Sequence, residues 1–401
     1  MNLQTMLTVL FTLGGLLLVA ATLPLALELL VLTVAALFPA PRRRDPAAEH
    51  EMPPLSVLIP AHNEEAFIER CVHSVLSCAG SGTEVLVVAH NCTDSTALRA
   101  ERAGARLLVL NNPSQRGKGH ALSHGFEVIL AGPYQGVLVV DADSVVDDGL
   151  ITEVRRRLRS GALAVQGRYE VYNCEHSQRT RLMTLAFYAA NVIRPRGRAR
   201  LGLSAGILGN GFAVHREVLA RIPYSAHSVV EDLEYHLALV QAGIRVEFLH
   251  EFAVRGEMPV TAAAAKAQRA RWEGGRFRMM RKWVPKLAAD IFRGRATQIE
   301  PLLDLLALPM ATEVLLLVAA ACLPVSWLRI YVLSVFAVVL FHIGTAAMQG
   351  PGIGKTLRSL STIPGYMLWK LWVLPEVWRT SRAGAAWVRT ERESRADGRA
   401  M

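Results

Sequence analysis

"GVLVVDADS", residues 136–144, decides the fold class. Val137 to Val140 form an unbroken apolar run with no polar alternation. Such a run reads as a strand buried on both faces, as in a parallel sheet covered by helices. Working outward, "LSVLIP" (55–60), "EVLVVA" (84–89) and "ARLLVL" (105–110) carry the same signal. Helical patterns lie between them, over 64–77, 95–103 and 119–130. Strand–helix–strand alternation implies right-handed crossovers and a mainly parallel, Rossmann-like α/β sheet, spanning residues 52–260.

In such sheets ligands gather outside the C-terminal strand ends. Polar residues stand at those ends: "PAHNEE" after the first strand, "HNCTDST" after the second and "DADS" after the fourth. Asp141 and Asp143 leave their strand one residue apart. Hard divalent ions take carboxylate oxygens and substrate phosphates together, so this turn suits Mg²⁺ or Mn²⁺. The alternative is an acidic turn capping the next helix. Upstream, Lys118 lies between Gly117 and Gly119 in "RGKGHAL", where glycines permit close approach to an anion. A solvated loop lysine is the plainer reading. Glu231 and Asp232 open the helical pattern "EDLEYHLALVQAG", which suits the helix dipole alone or a general base in a cleft. "SAGILGNGFAVHRE" (204–217), just before it, carries Gly206, Gly209 and Gly211 for a close-packed or merely flexible loop. On a helix, Gln268, Arg271 and Trp272 of "QRARW" share one face.

The chain has 401 residues, 52% of them hydrophobic, which suits an α/β domain with membrane segments. Residues 1–41 form the first such segment, with Glu28 its one charge before residue 41. The run exceeds the about 20 residues that span a bilayer. Arg42, Arg43 and Arg44 follow, which by the positive-inside rule puts the N-terminus outside and the α/β domain in the cytoplasm. Residues 261–300 read as interfacial helices carrying "QRARW". Within 301–378, two further spans are expected over 305–323 and 330–348, while 361–374 contains Lys370 and reads as interfacial or re-entrant. Residues 379–401 form a basic cytoplasmic tail. Arg276, Arg278, Arg281 and Lys282 are expected to meet lipid head groups. Five cysteines without paired spacing argue for free thiols. The net charge of +10 fits anionic lipid and a diphosphate better than nucleic acid.

Taken in order, "PAHNEE", "HNCTDST", "RGKGHAL", "DADS", "GNG", "ED" and "QRARW" resemble a family-2 glycosyltransferase of the GT-A fold. The resemblance is to its membrane-bound branch, with cellulose, chitin, hyaluronan and poly-N-acetylglucosamine synthases, and covers residues 52–290. It implies an integral membrane enzyme of the bacterial inner membrane with a cytoplasmic GT-A domain. It also implies that Ala61, Asn63, Glu64, His90 and Asn91 hold base and ribose, with Lys118 near the phosphates. Asp141 would contact the nucleotide sugar, Asp143 the Mg²⁺ or Mn²⁺. Glu231 would line the substrate site, and Asp232 would be the base. Gln268, Arg271 and Trp272 would bind the diphosphate and acceptor sugar. One departure stands out: His90 replaces an acidic residue of the family, keeping a hydrogen-bonding group but losing a fixed charge. The implied donor is UDP-linked and the implied acceptor a growing polysaccharide. A membrane lipid (ceramide, diacylglycerol or a polyprenyl carrier) is the alternative, and a non-catalytic scaffold the third reading. Few spans for a self-sufficient channel would call for an export partner or a homo-oligomer.

Overall fold

The computed structural model describes residues 2–39, 52–226, 228–360 and 362–382. Arg42 to Arg44 and most of the basic tail lie outside the described residues, as does the expectation built on them.

The apolar runs become strands β1 (Leu55–Ala61), β2 (Thr83–His90), β3 (Arg106–Leu110) and β4 (Gly136–Val139). Four more follow: β5 (Ser144–Val146), β6 (Ala164–Val171), β7 (Phe212–His215) and β8 (Val246–Gly256). They form one sheet in the order β3-β2-β1-β4-β7-β6-β8-β5. Strands β1 to β4 pair in parallel. Then β7 enters antiparallel to both β4 and β6, and β5 runs antiparallel to β8. The sheet is therefore mixed, with its parallel half at the N-terminal end. Every residue of β1 is buried, because helices cover both faces with apolar clusters around Val57 and Ile59 on one side and Leu58 and Leu86 on the other.

Chain order runs outward from β1 to β3, then returns to place β4 on the other side of β1. That reversal is a switch point, where loops after neighbouring strands part and leave a crevice. "PAHNEE" and "DADS" flank it.

Among the described residues two helices, Leu3–Ala36 and Ser326–Gln349, are long and apolar enough to cross a membrane. The span expected over 305–323 is not continuous. Its two helices, Ala296–Leu306 (with a short 3-10 turn) and Met310–Ala321, meet at a 76° bend. The break has a local cause: Ala307 takes an extended conformation and Pro309, which lacks an N–H, starts the next helix. Helix Ile363–Thr380 packs along helix Ala262–Phe292 through Trp369, Val373 and Val377. Gly274 permits that contact, since a Cβ there would clash with the Thr380 side chain and with the backbone of Thr380 and Ser381.

Candidate active site

A cavity of about 1040 Å³ opens at the switch point and runs to the apolar helices Leu3–Ala36 and Met310–Ala321. All thirteen residues singled out from the sequence line it except Asn63. Asn63 sits in the left-handed region with φ 55°. Its side chain accepts from the Thr93 amide at 2.8 Å, tying the loop after β1 to the loop after β2. Asn91, φ 52°, is a similar staple. It donates to the carbonyls of Asn112 and Gln115 at 3.0 Å and so fixes the loop that leads to Lys118. His90 is buried beside it, and burial together with the neighbouring His120 and His62 lowers its pKa.

Lys118 opens helix Lys118–Leu130 and donates to the Asp141 carboxylate and to the Gly209 carbonyl. Burial alone would lower its pKa, but Asp141, Glu231 and Asp232 facing it raise it. Glu231 and Asp232 begin helix Glu231–Gln241. Burial and then the charge of Asp232 push Glu231 up to about 7. Asp232 is raised by burial as well, although the Leu233 amide donates to it at 2.8 Å. A carboxylate poised this way, facing a cleft, suits proton transfer near neutral pH.

The turn "DADS" is held from beneath. Asn210, fully buried, accepts from the Asp141 amide at 3.0 Å and donates to Ser144 Oγ at 2.8 Å. Ser144 Oγ in turn donates to Asp143 Oδ1 at 3.1 Å. Gln166 Nε2 donates to the Asn210 carbonyl at 2.8 Å, and Gln166 Oε1 accepts from Leu208 N. Asn210 lies in "GNG", whose glycines drew attention in the sequence while the asparagine between them did not. Gln166 had no sequence signal; its role comes from β6 lying beside β7.

Asp141 and Asp143 offer hard oxygens without sulfur or imidazole, the donor chemistry of Mg²⁺ and Mn²⁺. Among the described residues, no group of three or more His, Cys, Asp or Glu could hold a metal by itself. The turn thus fits an ion that completes its shell with ligand oxygens and water.

Gln268, Arg271 and Trp272 lie in helix Ala262–Phe292 and face the cavity together, as their spacing requires. Trp272 stands 6.1 Å from Phe187, which meets Tyr169 edge-on at 5.3 Å. These three rings line one wall. Of the basic residues expected at lipid head groups, Arg276 is placed elsewhere. Arg276 lines the cavity with Asp304 3.7 Å away. Arg278 and Arg281 donate to the carbonyls of Thr380 and Ser381, and Lys282 pairs with Glu234 at 2.6 Å.

Comparison with known proteins fits this geometry. A family model described as glycosyltransferase like family 2 matches residues 53–275, over half the chain. The chain is 29% identical over 260 residues to a beta-monoglucosyldiacylglycerol synthase of Nostoc sp. strain PCC 7120, covering 62% of this chain and 55% of that one. It is 26% identical over 236 residues to the probable glycosyltransferase YdaM of Bacillus subtilis strain 168, covering 56% of each. The chain thus spans about half the length of these curated relatives. A solved mannosyltransferase from Pyrobaculum calidifontis, in complex with GDP-Man and Mn²⁺, aligns with a TM-score of 0.57 at 18% identity, over 92% of this chain and 99% of that one. That likeness is one of fold.

Proposed function

Since the chain belongs to the glycosyltransferase like family 2, a family of nucleotide-sugar enzymes, we propose that it moves a sugar to a membrane lipid in a single inverting step. The observation that carries the lipid acceptor is the continuous cavity. It begins at Asp141 and Asp232 and ends at Leu25, Leu29 and Met310 of the membrane helices. A head group at the carboxylates with its chains among those helices uses both ends. A UDP-linked donor with Mg²⁺ or Mn²⁺ is the first choice, as the motifs imply.

Lys118 and Arg271 hold the diphosphate by charge. An ion at Asp143, with Asp141 beside it, would neutralise charge on the leaving group. Asp232 takes the acceptor's hydroxyl proton as the acceptor oxygen bonds to the anomeric carbon. The carbon–oxygen bond to the diphosphate breaks on the opposite face, and its electron pair leaves with the phosphate. A single displacement turns an α-linked donor into a β-linked product. The Tyr169–Phe187–Trp272 wall gives an apolar aromatic surface for a sugar ring. On this reading the α/β domain faces the cytoplasm of a bacterial inner membrane, where sugar nucleotides are made.

Growth of a polysaccharide is the second reading, favoured by the shared face of Gln268, Arg271 and Trp272. An export partner or homo-oligomer would then complete a channel that the two candidate spans and one broken span among the described residues do not supply.

Membranes expressing the chain would be given labelled UDP-glucose or UDP-N-acetylglucosamine with Mg²⁺ or Mn²⁺, beside Asp232→Asn. Label in organic-soluble lipid, lost in the variant, is expected. Label retained only as polymer would reverse the order of the two readings. Equal transfer by Asp232→Asn would remove Asp232 as base.

A further inference from the structure

The turn "DADS" is also gripped by helix Ile68–Cys78, which lies outside the cavity lining. Two consecutive residues of that helix reach the turn. Arg70 Nη2 donates to the Asp143 carbonyl at 3.1 Å, and the buried Cys71 Sγ donates to the Asp141 carbonyl at 3.4 Å. Asn210 already holds the Asp141 amide. The backbone of both aspartates is thus held by side chains, and where the carboxylates point depends on how it is held.

The other arm of Arg70 leads away from the turn. Its Nη1 donates to Glu257 Oε1 at 3.1 Å, and its guanidinium carbon lies 4.3 Å from the centre of the Tyr172 ring. Tyr172 follows β6 and Glu257 follows β8. The Tyr172 amide donates to the Gly256 carbonyl at 2.9 Å, so the two strand ends are joined. One planar fork therefore bridges the ion turn to a pair of strands remote in sequence. The next residue, Met258, is fixed by the buried Asn173, which accepts from its amide at 2.9 Å and donates to its carbonyl at 2.7 Å. Met258 packs in one cluster with Phe187 and Trp272. The anchor of Arg70 is continuous with the aromatic wall of the cavity.

Stability does not account for the arrangement. The Arg70 side chain is 35% exposed, and ion pairs open to water contribute little. An ammonium would keep the charge but not the two-armed planar geometry.

We infer that Arg70 is a positioning residue for the bound ion: its fork sets Asp143 against the ends of β6 and β8, and Glu257 holds the fork. This rests on the reading of Asp143 as an ion ligand.

The test measures Mn²⁺ binding to the full chain in detergent, with UDP or GDP present, from the loss of the free-ion electron paramagnetic resonance signal. Asp143→Asn defines the part of that signal that belongs to the site. Arg70→Lys and Glu257→Ala are each expected to weaken binding roughly tenfold, with the melting temperature nearly unmoved. Glu257→Gln keeps an acceptor for Nη1 and is expected to bind as the wild type does. Wild-type affinity in Arg70→Lys would show that charge alone suffices and would overturn the inference. So would Glu257→Gln binding as weakly as Glu257→Ala, or affinity and melting temperature falling together in Arg70→Lys. A wild-type chain with no Mn²⁺ signal that Asp143→Asn removes would overturn the ion reading, and this inference with it.

Discussion

Lys370, wholly buried, donates to both carboxylate oxygens of Glu273. Glu273 follows Trp272 on the helix that walls the cavity. The pair therefore ties the last described helix to the candidate acceptor site.

Breaking one partner strands a buried charge. Lys370→Met should cost about 3–5 kcal/mol of stability, and Glu273→Met a similar amount. The double variant, which removes both charges, should recover most of that loss. Thermal unfolding in detergent checks it. Additive losses would mean that the two side chains are not coupled.

Activity should rise with pH above the ordinary carboxylate range, because burial raises the carboxyl of Asp232. Burial raises both carboxyls, pushing Glu231 up to about 7 with the charge of Asp232 added, and raising Asp232 with the charge of Asp141 added. A base must be deprotonated, so kcat/KM falls as pH drops through that window. Stability runs the other way. A carboxyl raised in the folded chain contributes stability below its unfolded pKa, and that stability is lost as pH rises through the folded value. Glu231→Gln removes one of the two charges. The acid limb of the rate profile should then shift to lower pH, and the chain should unfold at higher temperature above pH 7. An unmoved limb would exclude Glu231 as the neighbour that tunes the base.

Much of this site is legible in the sequence, and the reasons are local. Residues 137–140 read as a doubly covered strand, and a strand's end fixes where Asp141 and Asp143 emerge. Gln268, Arg271 and Trp272 share a face because helical spacing allows nothing else. Strands β5 to β8 were not anticipated. They are short or polar, as in "AVQGRYEV", and their pairing is decided by distant partners. Hydropathy read 305–323 as one span because composition does not register the bend that Pro309 begins. Arg276 looked like a head-group ligand for a similar reason: its partner Asp304 is remote in sequence, and an arginine facing an acid inside reads the same as one facing lipid.

Asn210→Ala should weaken donor binding before it weakens the chemistry. The side chain holds the Asp141 amide and Ser144 Oγ, and through Ser144 it reaches Asp143. Leaving those buried groups unmet costs about 1–3 kcal/mol. The expected result is a donor KM raised several-fold, a higher metal concentration for half-maximal rate, and a lower melting temperature. An unchanged metal requirement would mean that Asp143 is not positioned through this chain of bonds.

Gly209→Ala tests the other side of Asp232. Gly209 has φ +78°, where a side chain is strained, and a Cβ there would lie 2.9 Å from Asp232 Oδ2. The methyl must displace the carboxylate or the loop, and Lys118 donates to the carbonyl of the same residue. A displacement of about 1 Å at a reacting group can cost on the order of a hundredfold in rate. Gly209→Ala should therefore lower kcat by about that factor while nucleotide binding changes little. Gly211 supplies the contrast. It also has positive φ, +70°, but its Cβ would meet Val254 at 2.8 Å in the sheet. Gly211→Ala should lower the melting temperature and leave the turnover of the folded fraction nearly intact. If both variants lose only stability, Asp232 is not the group that Gly209 makes room for.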